Sequence, residues 1–135
     1  MKEENENKAL IQLLFEEVIQ GGNLAKVDEI FSADFVDLST PDQWAGREGV
    51  KGYLRMVRTG FPDLSVTLDD VIAEGDRVVV RSTWRGTHLG NCGVAPTGNV
   101  GARTLIQIFR IMDGVIVEEW NEGGSLVASA QKDSG

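Results

Sequence analysis

The chain has few of the residues that hold metal ions or form covalent intermediates. Among 135 residues there is one histidine, His88, and one cysteine, Cys92. The usual protein metal sites need several such ligands, so we expect no metal ion. A lone cysteine forms no internal disulfide, which agrees with a reducing compartment. Cys92 lies in a Gly-rich segment without an adjacent histidine or cation, so we expect no nucleophilic role for it.

Positive charge and long apolar runs are also scarce. Thirteen lysines and arginines stand against 21 aspartates and glutamates, a net charge of −8, and the cations form no cluster. This balance argues against nucleic acid and anionic lipid as partners. No apolar run approaches the roughly 18 residues of a membrane span, and the N-terminus is acidic where a signal peptide would be basic. We expect a cytoplasmic protein.

Motifs for nucleotide binding and for serine hydrolase chemistry are missing. The glycines at positions 90, 93, 98 and 101 lie between predicted strands and open no helix, so they form no phosphate cradle. There is no serine elbow of the hydrolase type and no pair of histidines or cysteines. We therefore expect any chemistry to proceed without a cofactor.

The order of the predicted elements indicates the fold class. Apolar residues recur at helical spacing in the first part of the chain, and alternating apolar and polar residues dominate after residue 64. Helices followed by strands indicate one α+β domain with an antiparallel sheet. We expect the small, polar tail 125–135 to fray. The predicted helices are 5–20, 24–31 and 46–58, and the predicted strands are 34–39, 64–73, 77–88 and the two arms of a hairpin within 102–122.

The terminal hairpin allows two registers. A three-residue loop 112–114 pairs Gln107 with Glu119, and it places Asn121 on the same face. A two-residue loop, Asp113-Gly114, pairs Gln107 with Trp120 instead, because a slip of one residue turns the partner strand over.

Gln107 is the most informative polar residue of this hairpin. It shares a strand face with apolar residues, where an amide is costly unless it joins a buried hydrogen-bond network or contacts a ligand. If Glu119 lies beside it in a dry cavity, desolvation would raise the pKa of Glu119 and suit it to acid/base catalysis. Alternatively, Glu119 or Glu118 is the solvated half of an alternating strand.

The strand 77–88 places Trp84 and His88 on its apolar, even-numbered face. We assign this face to the interior, which makes both residues candidates for the wall of a pocket. For His88, a structural position at the strand end competes with a role in acid/base chemistry or in hydrogen bonding to a substrate.

Four segments together resemble a known family. In chain order they are Phe61–Leu64 (Phe-Pro-Asp-Leu), Gly86–Gly90 (Gly-Thr-His-Leu-Gly), Ala95–Gly98 (Ala-Pro-Thr-Gly) and Ile108–Trp120. With the three preceding helices they resemble the SnoaL-like polyketide cyclases of the nuclear transport factor 2-like superfamily, over about residues 8 to 126.

The resemblance implies a cone, in which a strongly bent antiparallel sheet wraps around three helices and encloses a deep apolar cavity. It also implies a homodimer paired through the sheet and a small apolar ligand. The family's cyclases close a carbon ring by cofactor-free aldol condensation, in which a pocket carboxylate moves protons. The candidate catalytic residues are Glu119, Gln107, His88, Asn121, Glu122 and Asp37. The candidate pocket residues are Trp44, Tyr53, Trp84, Phe35, Leu105, Phe109 and Trp120.

One position departs from the family pattern. Many members carry an aspartate four residues after the tryptophan of the Glu-x-Trp motif, where this chain has Gly124. Either Glu119 or Glu122 replaces that carboxylate, or the cyclase chemistry is absent. Three functions therefore stay open: proton transfer on an apolar carbonyl compound, small-molecule binding without catalysis, and a dimerising domain with a vestigial pocket. Epoxide hydrolysis is a further enzymatic variant, disfavoured because no Arg-x-Asp pair lies on a strand.

Overall fold

The first helix forms as its apolar spacing predicts. In the computed structural model, which describes residues 1–39 and 45–131, α1 spans Lys2–Leu13 and continues without a break as a π-helix, Leu14–Gln20. Its buried face is an i, i+3, i+4, i+7 series, Ile11, Leu14, Phe15 and Val18, which packs against the sheet. A reversal follows at Gly22, where φ is +76°.

Two further helical segments follow the reversal. A short 3₁₀ turn, Leu24–Lys26, leads into α2, Val27–Ile30, which is shorter than the predicted helix 24–31. The longest regular α-helix of the described chain is α3, Gly46–Gly60. Its buried residues Leu54 and Val57 face the core, so this helix is confirmed close to its predicted position.

Five strands form one curled sheet. They are β1 Phe31–Asp37, β2 Ser65–Glu74, β3 Arg77–Thr87, β4 Val100–Met112 and β5 Val115–Gly123, in the spatial order β1-β5-β4-β3-β2. Strands β2 to β5 are antiparallel as predicted, but β1 lies parallel to β5. The sheet is therefore mixed. Because most of the chain separates β1 from β5, no tight turn sets their relative direction.

The core lies between the inner face of the sheet and the helices. Buried residues at every second position of β3 and β4, among them Val78, Val80 and Phe109, pack against the apolar face of the first helix. This arrangement confirms the α+β fold, with the helices on one side of the sheet.

The C-terminal segment is not frayed over the part that the structure describes, so that prediction is wrong up to residue 131. A short helix, α4 Leu126–Ala130, begins at Ser125, whose Oγ accepts a hydrogen bond from the backbone N–H of Ala128 at 3.1 Å. Leu126 and Ala130 are buried. The helix packs closely on Gly101 of β4, where a Cβ atom would lie 2.7 Å from the Leu126 carbonyl oxygen.

The hairpin between β4 and β5 follows neither predicted register along its whole length. Its loop is the two-residue one: Met112 pairs with Val115, and Asp113 and Gly114 have φ of +53° and +79°. A bulge then shifts the register, so that Arg110 pairs with Glu118 and Gln107 with Asn121. The predicted pairing of Gln107 with Trp120 is wrong because of this extra residue. The bulge also turns Glu119 and Asn121 to the inner face, beside Gln107.

Candidate active site

A cavity of about 350 Å³ lies between the inner face of the sheet and the helices. This size suits a small organic molecule. Its exposed lining residues, such as Ser39 and Gly124, mark the side that reaches the surface. The lining consists of Leu14, Ile19, Phe31, Asp37, Ser39, Gly49, Val50, Tyr53, Leu54, Trp84, Arg103, Leu105, Gln107, Glu119, Asn121, Gly123, Gly124 and Ser125.

Glu119 is the centre of a polar cluster in this cavity. The side-chain amide of Gln107 donates a hydrogen bond to Glu119 Oε2 at 3.1 Å, and that of Asn121 donates to the same oxygen at 3.2 Å. Neither of these bonds involves the second oxygen, Oε1. The Gln107 carbonyl oxygen is buried and has no hydrogen-bond partner among the described residues. Three of the candidate catalytic residues therefore come together here.

Asp37 joins this cluster from the neighbouring strand. It pairs with Glu119 across the parallel β1–β5 junction, and its Oδ2 accepts a hydrogen bond from Asn121 Nδ2 at 3.4 Å. Its other oxygen, Oδ1, accepts bonds from the backbone N–H and the hydroxyl of Ser39, at 3.0 and 3.1 Å. Two carboxylates thus lie on one wall, and Asn121 bridges them.

The surroundings of Glu119 raise its pKa to about 7. The largest cause is removal of the carboxylate from water, and the second is repulsion from Asp37. The hydrogen bonds from Gln107 and Asn121 and the positive charge of Arg103 oppose this rise. A carboxyl group with a pKa near 7 exchanges protons readily at neutral pH, which is the property that general acid/base catalysis requires.

An aromatic and apolar wall completes the cavity. Trp84 and Leu105 line it, as predicted, and so does Tyr53 from α3. The indole N–H of Trp84 donates to Ser82 Oγ at 3.0 Å, so this buried polar group has a partner within the protein.

His88 does not line the cavity. It is fully buried and stacked on Phe61, with ring centroids 5.1 Å apart. Its Nε2 lies 3.5 Å from the Cys92 sulfur, and its Nδ1 lies 3.4 Å from the Gln131 amide nitrogen. The structural alternative for His88 therefore matches its position. The expectation that Cys92 has no histidine nearby is wrong, because the loop after β3 folds back onto His88.

The hairpin bulge moves two other candidates to the outer face of the sheet, the side away from the helices. Trp120 pairs with Ile108 and is 48% exposed, and Glu122 pairs with Ile106 and is also exposed. Neither lines the cavity, so the placement of Trp120 in the pocket wall is wrong. Of the two carboxylates proposed to replace an aspartate at position 124, the structure places only Glu119 in the cavity.

Phe35 and Phe109 belong to the core and not to the cavity wall. Phe35 packs edge-on against Phe31 at 4.7 Å between ring centroids, and Phe109 is completely buried. Trp44 lies outside the described residues.

Arg103 lines the cavity and was not among the residues predicted for the site. It lies on β4, two residues before Leu105 and four before Gln107, so the alternation of that strand places it on the same face. The alternation of β4 could therefore have predicted this position, but a charged residue near a strand end is more often exposed to solvent.

The described chain offers no group of three or more His, Cys, Asp or Glu side chains suited to a metal ion. Among the helices of residues 1–39 and 45–131, none combines the length and apolar character of a bilayer span.

The comparisons with known proteins agree with the fold. The sequence matches the SnoaL-like polyketide cyclase family over residues 9–131. No curated protein sequence matches it significantly.

Several solved structures are similar over nearly the whole chain. TsrD from Streptomyces laurentii is 30% identical with a TM-score of 0.76, and the similarity covers 90% of this chain and 91% of TsrD. IdmH from Streptomyces antibioticus, assigned as a polyketide cyclase, is 29% identical with a TM-score of 0.77, covering 93% of this chain and 99% of IdmH. A protein from Jannaschia sp. CCS1, assigned as a SnoaL-like polyketide cyclase, is 26% identical with a TM-score of 0.82, covering 96% and 94%. The chain therefore belongs to the SnoaL-like polyketide cyclase family.

Proposed function

We propose that the protein transfers a proton at the carbon next to the carbonyl group of a small apolar compound, without a cofactor, and that Glu119 is the acid/base. The observation that carries this proposal is the carboxyl group of Glu119 in the cavity, with its pKa raised to about 7 and two amide donors on one oxygen. Aldol cyclisation and double-bond isomerisation both begin with this step.

The step has a simple balance of protons and electrons. Ionised Glu119 accepts the proton from the α-carbon, and the C–H electron pair becomes the double bond of an enolate, whose negative charge rests on oxygen. In an aldol cyclisation the enolate carbon then attacks a second carbonyl group of the same molecule, and the protonated Glu119 returns its proton to the new alkoxide. In an isomerisation the proton returns to another carbon.

Gln107 supports both the carboxylate and the enolate in this proposal. An amide NH₂ has two donors, and one of those of Gln107 is bonded to Glu119 Oε2. The second can donate to the enolate oxygen. Asn121 already bonds both Glu119 and Asp37, so its role is to position the two carboxylates. His88 is buried against Phe61 and does not line the cavity, so it cannot donate a hydrogen bond to the enolate oxygen.

Binding of a small molecule without catalysis is the alternative to the enzymatic proposal, since an apolar cavity suits both functions. A pure binding site for apolar molecules has no need for a desolvated carboxylate, which is costly to bury. The combination of Glu119, Asp37 and two amides favours the enzymatic proposal over the binding one.

We also propose that the protein is a homodimer, paired through the outer face of its sheet. A row of apolar side chains crosses four strands on that face, because Ile72 pairs with Val79, Val79 with Ile108 and Ile108 with Trp120. Three of these are well exposed, at 61% for Ile72, 38% for Ile108 and 48% for Trp120. An exposed apolar patch of this kind is typical of a protein interface.

Exchange of α-protons tests the enzymatic proposal without knowledge of the natural substrate. The bicyclic ketone 2-tetralone is incubated in D₂O, and loss of its α-proton signals is followed by NMR. We expect the protein to accelerate exchange above the buffer rate, and Glu119→Gln to abolish the acceleration. The matched control is Glu122→Gln, the same change at an exposed position of the same strand. Equal rates for the wild-type protein and Glu119→Gln would refute the proposal.

A further inference from the structure

One cation lines the cavity and forms no salt bridge with a described residue. Arg103 lies in the wall of the cavity, and within residues 1–39 and 45–131 no carboxylate forms an ion pair with it. Its Nε is buried and has no hydrogen-bond partner among those residues. Because Nε is enclosed by protein, a ligand would reach the guanidinium through its terminal nitrogens, and an anionic acceptor there would offset part of the cost of holding this charge in the cavity wall.

The guanidinium is held in a fixed orientation by aromatic rings. Its central carbon lies 4.4 Å from the centroid of the Trp84 ring and 5.8 Å from that of Tyr53, both within the range of cation–π attraction. Among the described residues, its hydrogen bond to the carbonyl oxygen of Gly124 is long, at 3.4 Å from Nη1. Stacking uses the faces of a guanidinium, so its N–H edges remain available for a planar acceptor.

We propose that Arg103 binds a carboxylate group of the substrate, which makes the substrate an apolar carbonyl compound that also carries an acid. This inference rests on the proposed function and specifies its substrate class. A carboxylate fits better than a phosphate, because a single cation faces two acidic residues, Asp37 and Glu119, in the same cavity. A doubly charged phosphate would require further cations.

Gly124 leaves space beside Arg103 that the aspartate of the family pattern would fill. A Cβ atom at this position would meet only the Cβ of Arg103, at 3.9 Å, so there is space for a side chain beside the arginine. An aspartate here would place a carboxylate within reach of the guanidinium. Glycine leaves the volume and the charge of that aspartate to a ligand.

Binding of two matched probes tests this inference. Isothermal titration measures 2-naphthoate and its neutral amide, 2-naphthamide, against the wild-type protein at pH 6. We expect the acid to bind about tenfold more tightly than the amide, as one charge-assisted pair requires. Arg103→Met should remove this preference.

Two further variants separate direct binding from a general charge effect. Arg85→Met removes the same charge from an exposed position of β3, next to Trp84 in sequence, and should keep the preference for the acid. Gly124→Asp should weaken binding of the acid alone, because the new carboxylate competes for Arg103. Equal affinity of both probes for the wild-type protein, or an unchanged preference in Arg103→Met, would overturn the inference.

The outcome is independent of the ketone exchange assay, because 2-tetralone carries no acid. If the wild-type protein shows no preference for naphthoate but does show Glu119-dependent exchange, only the role of Arg103 is overturned. A preserved preference without any exchange would support the carboxylate site and refute the proton-transfer chemistry.

Discussion

Asp37 and Glu119 face each other across the only parallel strand pair of the described sheet, and the amide of Asn121 bonds both carboxyl groups. The position of β1 beside β5 creates this pair, since these two strands are far apart in sequence. Repulsion from Asp37 adds to desolvation in raising the pKa of Glu119 to about 7. The strand β1 at the edge of the sheet thus contributes to the raised pKa of Glu119 through Asp37.

Replacement of Asp37 by asparagine should shift the pH profile of α-proton exchange. Exchange requires ionised Glu119, so its rate rises with pH and levels off above the pKa of that group. Asp37→Asn removes the repulsion, lowers the pKa of Glu119 and moves the rise to lower pH. The measurement is the exchange rate of 2-tetralone between pH 5 and 9. Asp34→Asn, an equal charge change at an exposed position of β1, should leave the profile in place. A profile of Asp37→Asn that coincides with the wild-type one would contradict the coupling.

Replacement of Gln107 by leucine should affect both the pKa of Glu119 and the enolate. The lost hydrogen bond stabilised the ionised carboxylate, so the pKa rises and the profile moves to higher pH. At pH 9, where Glu119 is ionised in both proteins, we expect a remaining deficit of at least about tenfold, from the loss of the donor to the enolate oxygen. If the pH profile of Gln107→Leu shifts but its rate at pH 9 equals the wild-type rate, Gln107 only orients Glu119 and does not stabilise the enolate.

Replacement of His88 by alanine should lower stability and leave the chemistry intact. The ring is fully buried against Phe61, so its removal leaves a void that costs on the order of 3 kcal/mol in the free energy of unfolding. Urea denaturation measures this loss, and the exchange rate per folded molecule at low temperature measures the chemistry. A large fall in that rate without loss of stability would place His88 in the reaction.

A lysine at position 108 should dissociate the proposed homodimer. Ile108 lies at the middle of the apolar row on the outer face, where a charge would have to be buried on association. Size-exclusion chromatography with light scattering should give a dimer mass for the wild-type protein and a monomer mass for Ile108→Lys. The control is Leu89→Lys, because Leu89 is exposed in the loop after β3 and lies off the sheet. A monomeric wild-type protein would exclude this interface.

The inner face of the site was predictable from local sequence patterns. The helical spacing around Ile11 and Val18 predicted the first helix, and one of the two registers left open for the terminal hairpin placed Gln107, Glu119 and Asn121 on one face. The family resemblance, through the motifs around Gly86 and Trp120, predicted the curled sheet and its cavity. These features depend on periodicity or on short motifs, which a single sequence displays directly.

The features that escaped prediction depend on long-range contacts. The bulge in β5 adds one residue without any turn residue to mark it, and it turned Trp120 outwards. The parallel direction of β1 and the packing of α4 on Gly101 are set by tertiary contacts. Arg103 was missed because a charged residue near a strand end is typical of a solvated position, and only the structure places its guanidinium against Trp84 in the cavity wall.

Titration of the Glu119 side chain itself tests most directly whether the cavity prepares this carboxyl group for proton transfer. The carboxyl carbon resonances of ¹³C-labelled protein are followed by NMR from pH 3 to 9, and the Glu119→Gln variant identifies the signal of Glu119 by its absence. We expect a midpoint at about pH 7, with Glu122 as an exposed reference in the same spectra. A midpoint for Glu119 near 4.5, the ordinary value for a solvated glutamate, would contradict the central claim that the cavity prepares this carboxyl group for proton transfer.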